Sequence, residues 1–264
     1  MDLGTFMKFL WRSWRTVATV FSFAVFAIGG ALLGLFASPL VWIFWRKENS
    51  RHKVGRFIVQ YSFRIFVLMM QGLGVLRVHY VGLAELGKSG NLVMANHPTL
   101  LDFVLLAAVL PNADCFVKSD LWDDWFKRWP IMLAGYICNN QGASTMARCR
   151  QSLDSGNNVI IFPEGTRTSP GRPVKFQNGA AQIAVRTQQN VTPVLIESTW
   201  SNLHKGGKWF LAPEHQLRMT LRVQEEIPIE PFLKARPDQP ALAARDLNFH
   251  LQQFFNKECL SVGA

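Results

Sequence analysis

Residues 96–102 read Asn-His-Pro-Thr-Leu-Leu-Asp, and residues 161–167 read Ile-Phe-Pro-Glu-Gly-Thr-Arg. The first block offers a base, His97, with a carboxylate, Asp102, five positions on. Histidine takes up and returns a proton near neutral pH. An aspartate that accepts a bond from one ring nitrogen leaves the other nitrogen as a base. A lone His followed by an Asp is more often unrelated surface chemistry, so the context of the pair decides its meaning. The second block packs an acid, a glycine, a hydroxyl and a guanidinium, Glu164 to Arg167, behind an apolar run. Arg167 can grip a phosphate with paired donors, with the Thr166 hydroxyl helping. Gly165 permits close backbone approach or a positive φ. Glu164 is the puzzle, because a carboxylate repels phosphate; it reads either as orienting Arg167 or as accepting a bond from a substrate hydroxyl. Taken alone, the block also fits a turn carrying a surface salt bridge. A base–acid pair and an anion clamp in one chain point to group transfer involving a phosphorylated substrate.

The elements around the two blocks can position them. Asn91–Ala95 reads as a strand and residues 98–102 as a helix start, so His97 stands at a strand end, where open α/β sheets place their ligands. Val159–Phe162 reads as a buried strand whose ladder ends at Pro163. Further strands fit Arg77–Gly82, Asp114–Val117, Tyr136–Asn139 and Thr192–Glu197, with another pair at Lys208–Leu211 and Arg218–Val223. Helices fit Leu100–Val109, Thr145–Asp154, Ala180–Thr187 and Ala241–Phe255, and Pro228–Pro240 reads as a loop. This alternation predicts an α/β domain, a mostly parallel central sheet flanked by helices, over residues 75–264.

Residues 1–74 differ in kind. No charge occurs between Arg15 and Arg46, a run of 30 residues, which exceeds the roughly 20 needed to span hydrocarbon. The run is too long for a secretory signal peptide. Gly29, Gly30, Gly34 and Pro39 also permit a broken, re-entrant helix. Phe57–Val75 follows as an amphipathic helix, suited either to a headgroup layer or to the domain's core. An N-terminal helical membrane anchor is therefore expected. Formal charge is +10, and the first 56 residues hold eight Lys/Arg against two acids. Basic residues flanking an apolar run suit an anionic bilayer, at about 1 kcal/mol each. Nucleic acid needs a polar basic face and is not expected as a partner. Basic residues after the run place the C-terminal side in the cytoplasm, so a membrane location is expected, a bacterial inner membrane with the catalytic domain facing the cytoplasm. Four cysteines without paired spacing suggest neither a zinc site nor a disulfide framework. No Gly-x-Ser-x-Gly elbow or nucleophilic cysteine motif occurs, so the base more naturally activates a substrate hydroxyl that attacks an acyl group directly.

Asn96-His97-Pro98 through Asp102, followed by Phe162 to Arg167 in this order and separation, resembles the glycerolipid acyltransferase family, whose best-known members are the 1-acylglycerol-3-phosphate acyltransferases. The resemblance covers about residues 75–215 and extends to Lys118, Gly179-Ala180-Ala181 and Thr192-Pro193-Val194. It implies a membrane-associated O-acyltransferase in which His97 deprotonates the acceptor hydroxyl and Asp102 orients it. Glu164, Gly165, Thr166, Arg167 and Lys118 would bind the acceptor, a lysophospholipid such as 1-acylglycerol-3-phosphate. The co-substrate would be acyl-CoA or acyl carrier protein, with no metal and no other cofactor. One departure stands out: the family's second motif normally ends in an arginine, and Gly135–Gln141 has none. Lys118, Arg148 or Lys175 could replace it, or the acceptor could be another lyso-lipid, such as a lyso-amino-acid lipid. A non-catalytic lipid-binding membrane protein is the alternative from a different class. Phe103-Val104-Leu105-Leu106 could line an acyl groove, though helix core is the plainer reading.

Overall fold

The computed structural model describes residues 3–86, 90–117, 125–139, 142–168, 172–199, 203, 206–211 and 215–261. The chain begins with α1 (Leu3–Leu32), which passes through a π-helical turn (Leu33–Ala37) into α2 (Ser38–Phe44). Gly29 and Gly30 do not break it. The run Gly4–Phe44 is long and apolar enough to cross a membrane by length and composition. Trp45 leaves the helical conformation, and α3 (Glu48–Gly72) runs back antiparallel to α1 and α2. The contacts along this hairpin fix the direction. Arg51 stacks over Trp42 at 3.8 Å, Phe66 meets Phe23, Phe63 stacks on Phe26, and the Trp14 indole donates to the Leu73 carbonyl at 3.0 Å.

Among the described residues the sheet has seven strands: β1 (Leu76–Val81), β2 (Leu92–Ala95), β3 (Ala113–Val117), β4 (Ile137–Cys138), β5 (Asn158–Ile161), β6 (Val191–Ser198) and β7 (Leu217–Val223). Their order is β1-β7-β6-β2-β5-β3-β4. Every pairing is parallel except β6 with β7. The remaining helices are α4 (Leu83–Leu86), α5 (Asp102–Val109), α6 (Trp125–Ala134), α7 (Ala143–Asp154), α8 (Asn178–Thr187), α9 (Glu230–Ala235) and α10 (Pro240–Ser261). They cover both sheet faces, so β2 and β5 are buried throughout and read as unbroken apolar runs. Alternate residues still divide between two cores. Val93 and Ala95 face α3 and α5, whereas Leu92 and Met94 face α8 and α10.

α3 belongs to the first of those cores. Val59, Phe66, Val67 and Met70 form its buried stripe at helical spacing. Arg56 donates to the Ala134 carbonyl at 3.0 Å and to Asp114 Oδ2 at 2.8 Å, where the Ser152 hydroxyl also donates. Close approach is enforced by glycine: a Cβ at Gly55 would lie 1.9 Å from the Leu133 carbonyl oxygen. Residues 57–72 pack on the domain through this stripe, while Phe57, Tyr61, Ile65 and Leu68 are exposed.

His52 sits where Gly135 (φ +66°) leaves no room for a side chain. Burial, reinforced by the Arg56 charge, lowers its pKa to about 4. The unfolded chain, with an ordinary histidine, therefore binds more protons between pH 4 and 6.5. His52 thus contributes stability that is complete above about pH 6.5 and lost as pH falls through that window. Thermal melts should show the parent losing on the order of 1 kcal/mol more than His52→Gln between pH 7 and 5. Parallel pH profiles for the two proteins would refute this.

Two sequence expectations fail in instructive ways. Lys208–Leu211 is no strand. Gly206 (φ +82°) turns the chain, Trp209 N–H and Leu211 N–H bond to Gly207 and Lys208 within the turn, and the Trp209 ring packs on Phe23. The expected loop at 228–240 contains α9, because Pro231 falls in its first turn, where the missing N–H costs nothing. α6, with Pro130 inside it, has no counterpart among the expected elements.

Candidate active site

β2 and β5 are parallel neighbours in register, Leu92 beside Val159 and Met94 beside Ile161. The segments that follow them, carrying His97 and Glu164, therefore emerge side by side from the C-terminal ends of these two interior strands. Asn96 extends the alignment past the end of β2. Its side chain donates to the Ile196 carbonyl at 2.9 Å and accepts from Ile196 N–H at 2.7 Å, mimicking a further ladder step toward β6. The two segments are then tied to each other. Thr168 N–H donates to the His97 carbonyl at 2.8 Å, and His97 N–H donates to Glu164 Oε1 at 2.8 Å.

His97 Nδ1 lies 2.7 Å from Asp102 Oδ2. Asp102 is completely buried, the first residue of α5, and also accepts from Thr99 N–H at 2.7 Å and the Thr99 hydroxyl at 2.5 Å. Burial pushes its carboxyl upward, opposed first by the His97 hydrogen bond and charge and then by Thr99. The ionised form is costly in such a place unless every lone pair is matched, and here the donors converge. Asp102 holding Nδ1–H leaves Nε2 with a free lone pair. The imidazole stacks on Phe162, ring centroids 4.3 Å apart, and remains partly exposed toward a cavity.

The clamp residues divide. Gly165 has φ +65° and donates its N–H to the Phe162 carbonyl at 3.0 Å, turning the chain back on itself. Gly165 and Thr166 are exposed and, with Arg167, line the same cavity as His97. Arg167 Nη1 donates to the Leu203 carbonyl at 3.1 Å, which steadies the guanidinium and leaves its other donors available. Glu164 makes no ion pair with Arg167 among the described residues. It is buried and accepts from the His97 backbone and the Thr168 hydroxyl (2.6 Å to Oε2). Burial pushes its carboxyl upward against those two bonds. Lys118 lies outside the described residues. Arg148 is occupied with the Gly135 carbonyl at 3.3 Å, and Lys175 is exposed; neither lines the cavity. Arg167 is the only Lys or Arg among the described lining residues.

The cavity itself holds about 1350 Å³, more than the ~300–1,000 Å³ usual for a small ligand. It runs from the clamp past His97 into the space between α1, α3 and the sheet, where its walls are apolar: Phe23, Phe26, Phe66, Met69 and Phe103. The possible acyl-groove strip is split by this geometry. Phe103 and Val104 face the cavity, whereas Leu105 and Leu106 are fully buried core.

A family model described as Acyltransferase matches residues 77–197, the stretch from β1 to β6 that carries both blocks. Over this stretch the chain is similar to the glycerolipid acyltransferases. Over 179 residues it is 25% identical to the 1-acyl-sn-glycerol-3-phosphate acyltransferase of Helicobacter pylori, covering 65% of this chain and 69% of that one. It is 29% identical over 192 residues to the sheep (Ovis aries) 1-acyl-sn-glycerol-3-phosphate acyltransferase alpha, covering 69% of this chain and 64% of the longer relative. The crystal structure of the 1-acyl-sn-glycerophosphate acyltransferase PlsC from Thermotoga maritima superposes with a TM-score of 0.70 at 20% identity, over 97% of this chain and 98% of that one. That likeness is one of fold and includes the N-terminal helices.

In this acyltransferase, sequence reasoning gave no role to Asn96, Thr99 or Thr168. All three act through backbone or carboxylate partners that only the folded chain brings near. Glu164 has a testable consequence. Glu164→Ala leaves the His97 N–H without its acceptor, and displacement of a reacting group by an ångström costs up to about 100-fold. The variant should lose about 10- to 100-fold in kcat with acceptor KM changed little, and Glu164→Gln should restore most of it. A large rise in acceptor KM with kcat intact would instead put Glu164 in contact with the acceptor.

Proposed function

We propose that this acyltransferase is membrane-associated and moves a fatty acyl group from an acyl thioester, on coenzyme A or acyl carrier protein, to the free hydroxyl of 1-acylglycerol-3-phosphate. The observation that carries this reading is the shared cavity: a His–Asp pair and an arginine clamp at adjacent strand ends, opening into one apolar space. Arg167 and Thr166 hold the phosphate, Gly165 lets the backbone approach it, and the acyl chains lie between α1, α3 and the sheet. With Asp102 on Nδ1–H, His97 Nε2 takes the proton of the acceptor hydroxyl as its oxygen attacks the thioester carbonyl. The tetrahedral intermediate collapses, the C–S bond breaks, and the imidazolium returns its proton to the leaving thiolate. Electrons and protons balance without metal or covalent enzyme intermediate. An exposed apolar face on α1, including Val17, Phe21 and Ile28, suits an enzyme that draws its substrate from a bilayer.

A second acceptor class has an observation in its favour: residues 135–141 supply no arginine, which leaves Arg167 to hold the head group. Purified full-length protein assayed with one acyl thioester against a panel of lyso-lipids separates the two. Preference for lysophosphatidate supports the phosphate monoester, and preference for a lyso-amino-acid lipid would replace it. The clamp makes a parallel prediction. Arg167→Lys keeps charge but loses the fork, so the acceptor KM should rise about tenfold while the donor KM stays put. An unchanged acceptor KM would remove Arg167 from the head-group site.

A further inference from the structure

We propose that the turn 206–211 dips into the bilayer surface and forms the portal through which the lysolipid passes to Arg167; this rests on the membrane acyltransferase reading above. Three observations converge on it. The segment starts from a fixed point in the site: Leu203 is fully buried and its carbonyl holds Arg167 Nη1. It then reaches Gly206 and carries Lys208, Trp209, Phe210 and Leu211, all exposed, on a turn with local backbone bonds. Three consecutive large apolar side chains left in water are costly, and a tryptophan beside a lysine is the composition of a membrane–water interface.

The third observation says what covers them. Trp209 packs edge-on against Phe23 of α1 (centroids 4.9 Å) and lines the cavity, while Phe210 meets Trp209 edge-on at 5.8 Å. On α1, Val20 and Ala24 line the cavity alongside Trp209, and the adjoining Phe21 and Ile28 are exposed. The turn thus continues the same apolar surface as the helix. Lys208 adds a positive charge at the level of anionic head groups. The occupant is a phospholipid surface: the turn enters the head-group layer, and a lysolipid moves along Trp209 with its phosphate arriving at Arg167.

The test uses the full chain with Cys138→Ser and Cys259→Ser, the buried Cys115 and Cys149 retained. Phe210→Cys is labelled with an environment-sensitive fluorophore, and Asp238→Cys serves as a remote control. On vesicles of phosphatidylethanolamine and phosphatidylglycerol, position 210 should blue-shift and be quenched by spin-labelled lipid, with position 238 unchanged. An unshifted position 210 overturns the proposal. In parallel, Phe210→Glu should lower kcat/KM about tenfold or more for long-chain lysophosphatidate presented in vesicles. It should leave kcat/KM for a water-soluble hexanoyl analogue within about twofold. Equal loss with both acceptors also overturns it. Failure of the acyltransferase reading looks different: the parent turns over neither acceptor, and the fluorescence arm still decides whether the turn meets lipid.

Discussion

His97→Ala is expected to lower the rate of acyl transfer by about 10³- to 10⁴-fold while the protein still folds. The size follows from what the substitution removes. Without a base, the acceptor must attack as a neutral alcohol, and the proton it sheds has no partner until solvent provides one. Binding at the clamp and the apolar cavity survives, so the KM of either substrate should change little. The cost in stability has two parts, the lost partner of the buried Asp102 and the lost packing of the ring. The ring is partly exposed and its main packing contact is one face of Phe162, worth about 1 kcal/mol. Steady-state rates with saturating substrates, alongside a thermal melt, read both quantities. Transfer within a few-fold of the parent would mean that some other group takes the proton.

Asp102→Asn should cost nearly as much, about 10³-fold in kcat, and for a different reason. Asparagine fills the same space, but a neutral amide cannot stabilise the imidazolium that forms as the proton moves. With its N–H₂ toward the ring, it also favours the tautomer whose Nε2 carries hydrogen and cannot act as a base. Stability should not follow activity. A fully buried carboxylate whose pKa is pushed up by burial loses little when it becomes neutral. The Thr99 hydroxyl keeps the side-chain oxygen, whereas the Thr99 N–H, which shares Oδ2 with the ring, loses its acceptor. A thousandfold lower kcat with only a modest change in melting temperature is the expected signature. A large fall in melting temperature would make Asp102 mainly structural.

The sheet was readable because β2 and β5 are buried on both faces and so appear as continuous apolar runs, each closed by a chemical block. The strand at 217–223 was readable for its composition, but its antiparallel pairing with β6 was not. Pairing direction depends on the route the chain takes between them. α6 escaped because Pro130 interrupts the helical pattern, and α9 because Pro231 looks like a loop signal until it is placed in a first turn. Trp209-Phe210-Leu211 has strand composition, and only the folded chain reveals that its partner is Phe23 on α1. At the site, His97 and Asp102 stood out because the contact is local, five residues apart. Glu164 did not, because its partner is a backbone N–H 67 residues away and its spacing to Arg167 pointed elsewhere. The Arg56–Asp114 pair, 58 residues apart, is illegible for the same reason. Local chemistry shows in sequence, whereas carboxylates that hold the scaffold show only when the strand order is known.

The proposed direct transfer couples thiol release to a lysophosphatidate hydroxyl held at the clamp. Thiol release from an acyl thioester can be followed with purified parent protein as lysophosphatidate is titrated. Direct transfer requires negligible release without acceptor, saturable release with it, and one phosphatidate formed per thiol. Release that proceeds at the full rate without any lysophosphatidate, yielding free fatty acid, would contradict it.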